Sequence, residues 1–199
     1  MKFSEFLRKG EEDKQIPVIL GNGPTEVKLL RYLAQRVNGT DCSIADTRTS
    51  LPLREKKTGP HALETLSVLI HLGFRLRRAL YIVDKEHIPD IKVILEKLTE
   101  YGFSIEEYKE IERRVGVLRI RKGHRELALY MVIAGEEKNL DEELVSLAQL
   151  VYGRDVKVNY IKGRIRELIR RARIEQISRT IKLYKALKMI EQECKRVVD

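Results

Sequence analysis

The stretch VILGNGPTEVKLL, residues 18–30, carries a short apolar run, two glycines around Asn22, and Pro24 opening a helix-like pattern. It reads as a strand that turns sharply into a helix. Val27, Leu30, Leu33 and Val37 fall on one helical face, and Gly39 closes the pattern. Proline suits the first helical position, where its missing N–H costs nothing, and glycine suits the left-handed position after a helix. The same syntax recurs twice downstream. "CSIADT" leads through a loop to Pro60 and a helix ending at Gly73. "ALYIVD" leads to Pro89, the stripe Ile91, Ile94, Leu95, Leu98, and then Gly102. Strand and helix alternating in this way predict βαβ units and an α/β fold built on a mainly parallel sheet.

After Gly102 the pattern changes. "VGVLRIRKGHRELALYMVIAG" predicts two strands joined at Gly123-His124, and "NLDEELVSLAQLVYG" predicts a helix with a side-chain cap, early carboxylates and a closing glycine. From about Val158 to Val198 only Gly163 interrupts a helical pattern. One long helix is expected there, or two broken near "EQIS" with Ser178 as a cap. The chain therefore divides into an α/β body, residues 1–153, and a helical extension, residues 154–199.

Charge follows the same division. The net charge is +9, and the segment from Arg154 onward holds fourteen Lys/Arg against six Asp/Glu, so +8 of it lies in the extension. A nearly neutral body with a basic tail points to a polyanionic partner, or to a helix docked on an acidic patch. Ile161, Ile165, Leu168 and Ala172, then Ile177, Ile181, Tyr184 and Leu187, recur at helical spacing. Lys162, Arg166, Arg170 and Arg173 occupy another face, as do Lys182, Lys185 and Lys188. The apolar stripe would dock on the body or on a second subunit, giving a homo-oligomer. The basic stripe would meet nucleic-acid phosphates.

Apolar runs such as "LALYMVIAG" are too short to span a bilayer, and "MKFSEFLRKGEEDK" lacks the apolar core of a signal peptide. Cys42 and Cys194 are far apart and lack metal-type spacing, so Cys42 reads as a small buried hydrophobe and a reducing cytoplasm is expected.

In open α/β sheets, ligands sit beyond the carboxyl ends of the strands. Asn22, Asp46, Asp84 and Glu86 all fall at such ends. Alternate residues leaving a strand can point the same way, and Asp84 and Glu86 so placed offer hard oxygen ligands to Mg²⁺, which also binds substrate phosphate. The competing reading has Asp84 cap the turn into the Pro89 helix. The loop DTRTSLPLREKKTGP, residues 46–60, is long for a βα connection; Arg48 and Arg54 in it could clamp phosphate. The bare backbone at Gly21, Asn22 and Gly23 could receive phosphate through its N–H groups.

Together, "VILGNGPTEVKLL" and "ALYIVDKEHIPDIKVILEKL" resemble the Toprim domain of topoisomerases, primases and related nucleases. The order of elements over about residues 16–150 is similar to that of small archaeal Toprim-like proteins. The family's first strand ends in an E-G-x-x-D type motif and a later strand in D-x-D, whose carboxylates bind Mg²⁺. Asn22 stands at the glutamate, Gly23 follows, Glu26 falls at the acidic partner, and Asp84 and Glu86 stand at D-x-D. The resemblance implies a three-layer sandwich that binds nucleic acid or nucleotide phosphate with Mg²⁺, with phosphodiester hydrolysis through Glu26, Asp84 and Glu86. Asparagine is neither an anionic ligand nor a general base, so either Glu26 has taken over or the site is vestigial in a non-catalytic interaction module. A Rossmann-like nucleotide site is a third reading, since "GNGPTE" holds two glycines of G-x-G-x-x-G. Glu26, however, replaces the third.

Overall fold

A computed structural model describes residues 1–4, 7–11, 14–21, 23–37, 42–47 and 57–196. Seven strands form one sheet: β1 Lys2–Ser4, β2 Gln15–Leu20, β3 Ser43–Asp46, β4 Arg78–Asp84, β5 Ser104–Glu112, β6 Val115–Lys122 and β7 Arg125–Ala134. Their order is β1-β3-β2-β4-β7-β6-β5. The first five in that order run parallel, and β6 and β5 add antiparallel ladders at one side. The eight α-helices of the described residues are α1 Pro24–Arg36, α2 Glu64–His71, α3 Ile91–Glu100, α4 Leu140–Tyr152, α5 Val158–Gly163, α6 Ile165–Arg171, α7 Ile174–Thr180 and α8 Lys182–Arg196.

The alternation read from the sequence produces three layers. β2 is buried along its whole length, as a central parallel strand covered on both faces must be. Its Val18 and Leu20 face one core with Leu29, Leu30 and Leu33 of α1, and with α4 to α8. Ile19 faces a second core on the other side, with Leu66 and Leu69 of α2 and Ile94 and Leu98 of α3. The chain leaves β2 into α1 on one face and leaves β4 into α3 on the other, so neighbouring strands part in opposite directions. That is the topological switch point of a doubly wound sheet, and it opens a crevice at their carboxyl ends.

The predicted strands and helices of the body are present, with the hairpin of β6 and β7 turning at Gly123, but Pro89 precedes the Asp90 cap of α3 rather than opening the helix. Two strands escaped the sequence reading. β1 has three residues, and β5 is an edge strand exposed on nearly every residue. Its charges keep the edge soluble and hide the alternation that marks a half-buried strand.

The extension departs further from expectation. It is four helices, of 6, 7, 7 and 15 residues, rather than one or two. Non-helical backbone at Arg164 and extended backbone at Ala172 and Ile181 break the run, and Ser178 lies inside α7 rather than capping a helix. The chain folds back so that each predicted stripe residue, from Ile161 to Leu187, is buried in the same core as β2 and α1. The extension therefore completes one face of the sheet. Lys182 pairs with Glu136 and buried Glu143, and Lys185 pairs with Glu112, so this part of the basic series docks on acidic groups of the body.

Cys42, beside the start of β3, is disulfide-bonded to Cys194 of α8. Cys42 is buried in the core, as expected, and the bond to Cys194 is what the reading as a small hydrophobe lacked. A partner 152 residues away leaves no spacing signal. The expectation of a reducing cytoplasm rested on unpaired cysteines, and the bond removes that ground. Among the described residues no helix is long and apolar enough to cross a membrane.

Candidate functional site

A cleft of about 670 Å³ lies at the switch point, beyond the carboxyl ends of β2 and β4. Asp84, the last residue of β4, lies in its wall and is only 5% exposed. Its Oδ1 accepts the Leu140 N–H at 3.1 Å, reaching across to the first residue of α4. The turn into α3 is capped instead by Asp90, whose Oδ1 accepts the Lys92 N–H at 3.0 Å. The competing role for Asp84 thus belongs to another aspartate.

Glu86 is exposed and reaches the same cleft from a 3-10 turn over Lys85–His87. The turn is tied down where the Glu86 N–H donates to the Lys138 carbonyl at 2.8 Å. Glu26 comes from the first turn of α1, where a carboxylate complements the positive end of the helix, and it is 4% exposed. Glu26, Asp84 and Glu86, separated by up to 60 positions in sequence, all line one cleft.

The two glycines of the opening stretch do different work. A Cβ on Gly21 would lie 2.8 Å from Val83 Cγ2 and 3.2 Å from the Ile82 carbonyl, so close approach to β4 excludes any side chain. Gly21 N–H donates to that carbonyl at 2.7 Å, and the Gly21 carbonyl accepts from Gly59 N–H at 2.6 Å. Gly23 meets nothing within 4 Å at its Cβ position. As the residue preceding α1, it adds no side chain at the entrance to the helix. Asn22, Arg48 and Arg54 lie outside the described residues. Asp46 is buried at the end of β3, while its neighbour Thr47 lines the cleft and donates its hydroxyl to the Val18 carbonyl at 2.7 Å.

Sequence reasoning missed several contributors. Lys57, at the end of the long loop, lines the cleft and pairs with Glu64. Asp141 lines it too, and Lys162 Nζ lies 2.7 Å from Asp141 Oδ2. Asp141 had the appearance of a helix-dipole carboxylate, which conceals any second role. Lys162, expected on a nucleic-acid face with Arg166, Arg170 and Arg173, stands at the cleft; the three arginines are exposed and do not line it. Thr25, Thr58 and Thr65 add hydroxyls to the walls.

Among the described residues, four carboxyl groups and two lysines line the cleft, and both lysines are already paired. Asp84 and Glu86 are oxygen donors of the kind that hold Mg²⁺ together with solvent and a substrate phosphate, so the residues fit the ion. Among the described residues no three His, Cys, Asp or Glu side chains form a metal-binding group by themselves. The chain matches no family model, no curated protein and no solved structure.

Proposed function

We propose that the switch-point cleft binds the phosphate of a nucleotide or nucleic acid with the help of Mg²⁺, and that it supports phosphodiester hydrolysis. The observation that carries this reading is the meeting of Glu26, Asp84 and Glu86 with Lys57, Lys162 and the first turn of α1 in one cleft. Carboxylates in the wall disfavour a phosphate beside them, and a divalent cation between the two offsets that repulsion. The N–H groups of a helix N-terminus then favour the anion. In this reading Asp84 and Glu86 hold the ion. Glu26 helps to hold it or accepts a proton from the attacking water, and Lys57 and Lys162 leave their carboxylate partners to steady phosphate oxygens. The Toprim resemblance points to the same three carboxylates.

The test is thermal unfolding with millimolar Mg²⁺ or Mn²⁺, alone and with AMP. A ligand at 100 times its dissociation constant stabilises the folded state by about 2.7 kcal/mol, which is several degrees for a chain of this size. Asp84→Asn keeps an acceptor for the Leu140 N–H but loses the anionic ligand, so it should abolish the cation's effect without unfolding the protein. A parent protein that gains nothing from either cation, with or without AMP, overturns the reading. Cation-dependent cleavage of a labelled oligonucleotide, lost in Asp84→Asn, separates hydrolysis from binding alone.

A further inference from the structure

The end of α4 and the α5–α6 corner carry a second constellation, outside the cleft. The Arg164 guanidinium lies over the Tyr160 ring, 4.5 Å from its centroid, and that of Arg171 lies over Tyr152 at 5.9 Å. Both tyrosines border a small cavity of about 210 Å³ that Arg154 also lines. Glu167 sits between the two arginines, 3.7 Å from Arg164 and 2.8 Å from Arg171, and holds both guanidiniums beside their rings. Tyr160 is 46% exposed, large for an aromatic side chain. Three arginines against one glutamate leave the patch positive. Flat aromatic and guanidinium surfaces within such a patch are what unpaired bases stack on, while the surplus charge meets their phosphates. A duplex hides its base faces and gains nothing from the rings.

We infer that Tyr152, Tyr160, Arg154, Arg164 and Arg171 form a platform for single-stranded nucleic acid. It stands on observations separate from the cleft. Tyr152 ends α4 and Asp141 lies in its first turn, so the two sites are about 16 Å apart along that helix. Lys162, between Tyr160 and Arg164, reaches the cleft from the same short segment.

The experiment is fluorescence anisotropy of the full chain with a labelled 12-mer oligothymidylate and, separately, a 12-base-pair duplex, in low salt without divalent cation. The single strand should bind at least tenfold more tightly than the duplex. Tyr160→Ala should weaken single-strand binding about tenfold, as loss of one stacked base does, and Tyr160→Phe should stay within about twofold of the parent. Arg154→Gln should lower the steepness of the salt dependence, while Tyr160→Ala leaves it unchanged. Circular dichroism of Tyr160→Ala should match the parent, because the side chain is exposed. The assay omits divalent cation, on which the cleft reading depends, so failure of that reading leaves this result intact. Absence of single-strand binding, equal affinity for the duplex, or equal loss in Tyr160→Ala and Tyr160→Phe overturns the proposal.

Discussion

Gly135 follows β7 with φ +83°, in the left-handed region, and an added Cβ would run into the backbone of Asn139. Its N–H donates to the carboxylate of buried Glu143 at 2.9 Å. The position thus combines a backbone cost for any L side chain with a steric one. Gly135→Ala should lose about 2–4 kcal/mol, read as a shift in the midpoint of urea unfolding. An unchanged midpoint would show that the turn relaxes freely. Gly21 is constrained for a different reason, contact with β4, although both glycines look alike in sequence. Gly23 is the one of the opening pair whose lack of a side chain has no packing cause.

The turn between β7 and α4 is organised by the helix that follows it. Glu142 accepts the N–H groups of Glu136 and Glu137 on one carboxylate oxygen, at 2.6 and 2.9 Å, and of Lys138 on the other at 3.1 Å. Burial pushes this carboxyl upward, but the three backbone donors prevail and hold it below its ordinary range. A depressed carboxylate stabilises the fold at neutral pH. That stability declines once pH falls to the ordinary glutamate value of about 4.3, and it is gone below the folded-state value. Glu142→Gln, with one acceptor oxygen and an unwanted donor, should cost about 1–2 kcal/mol at pH 7 and almost nothing near pH 2. Chemical denaturation across pH 2–7 measures the difference, and parallel stability curves for the two proteins would contradict it. Lys138 in this turn also accepts from Glu86, so the device that shapes the turn steadies one wall of the cleft.

The Cys42–Cys194 bond ties the start of β3, the strand next to edge strand β1, to the last turns of α8 across 152 residues of chain. A loop of that length restricts the unfolded ensemble strongly, and native disulfides contribute about 2–4 kcal/mol. Cys194→Ser should therefore melt about 5–15 °C below the parent, and reductant should lower the parent's melting without affecting the variant. Calorimetry with and without reductant reads both, and coincident transitions for all samples would mean the bond adds nothing. The bond fastens helices that already fill one core, so the division into body and extension follows charge rather than packing.

Periodicity and punctuation decided which segments became strands and which helices, because a 3.6-residue stripe, a proline at a helix start and a glycine at its end act within a few residues. The three βα units, the hairpin at Gly123, the Asn139 cap and the apolar stripe of the extension were legible for that reason. So were Asp84 and Glu86, which follow a strand directly. Only packing decided where the stripe had to break, since the break at Arg164 and the extended backbone at Ala172 and Ile181 let four helices cover one sheet face. Lys162 reached Asp141, and Cys42 met Cys194, across distances in sequence that carry no local signal. Such contacts depend on how layers stack, and stacking is a property of the assembled core rather than of any one segment.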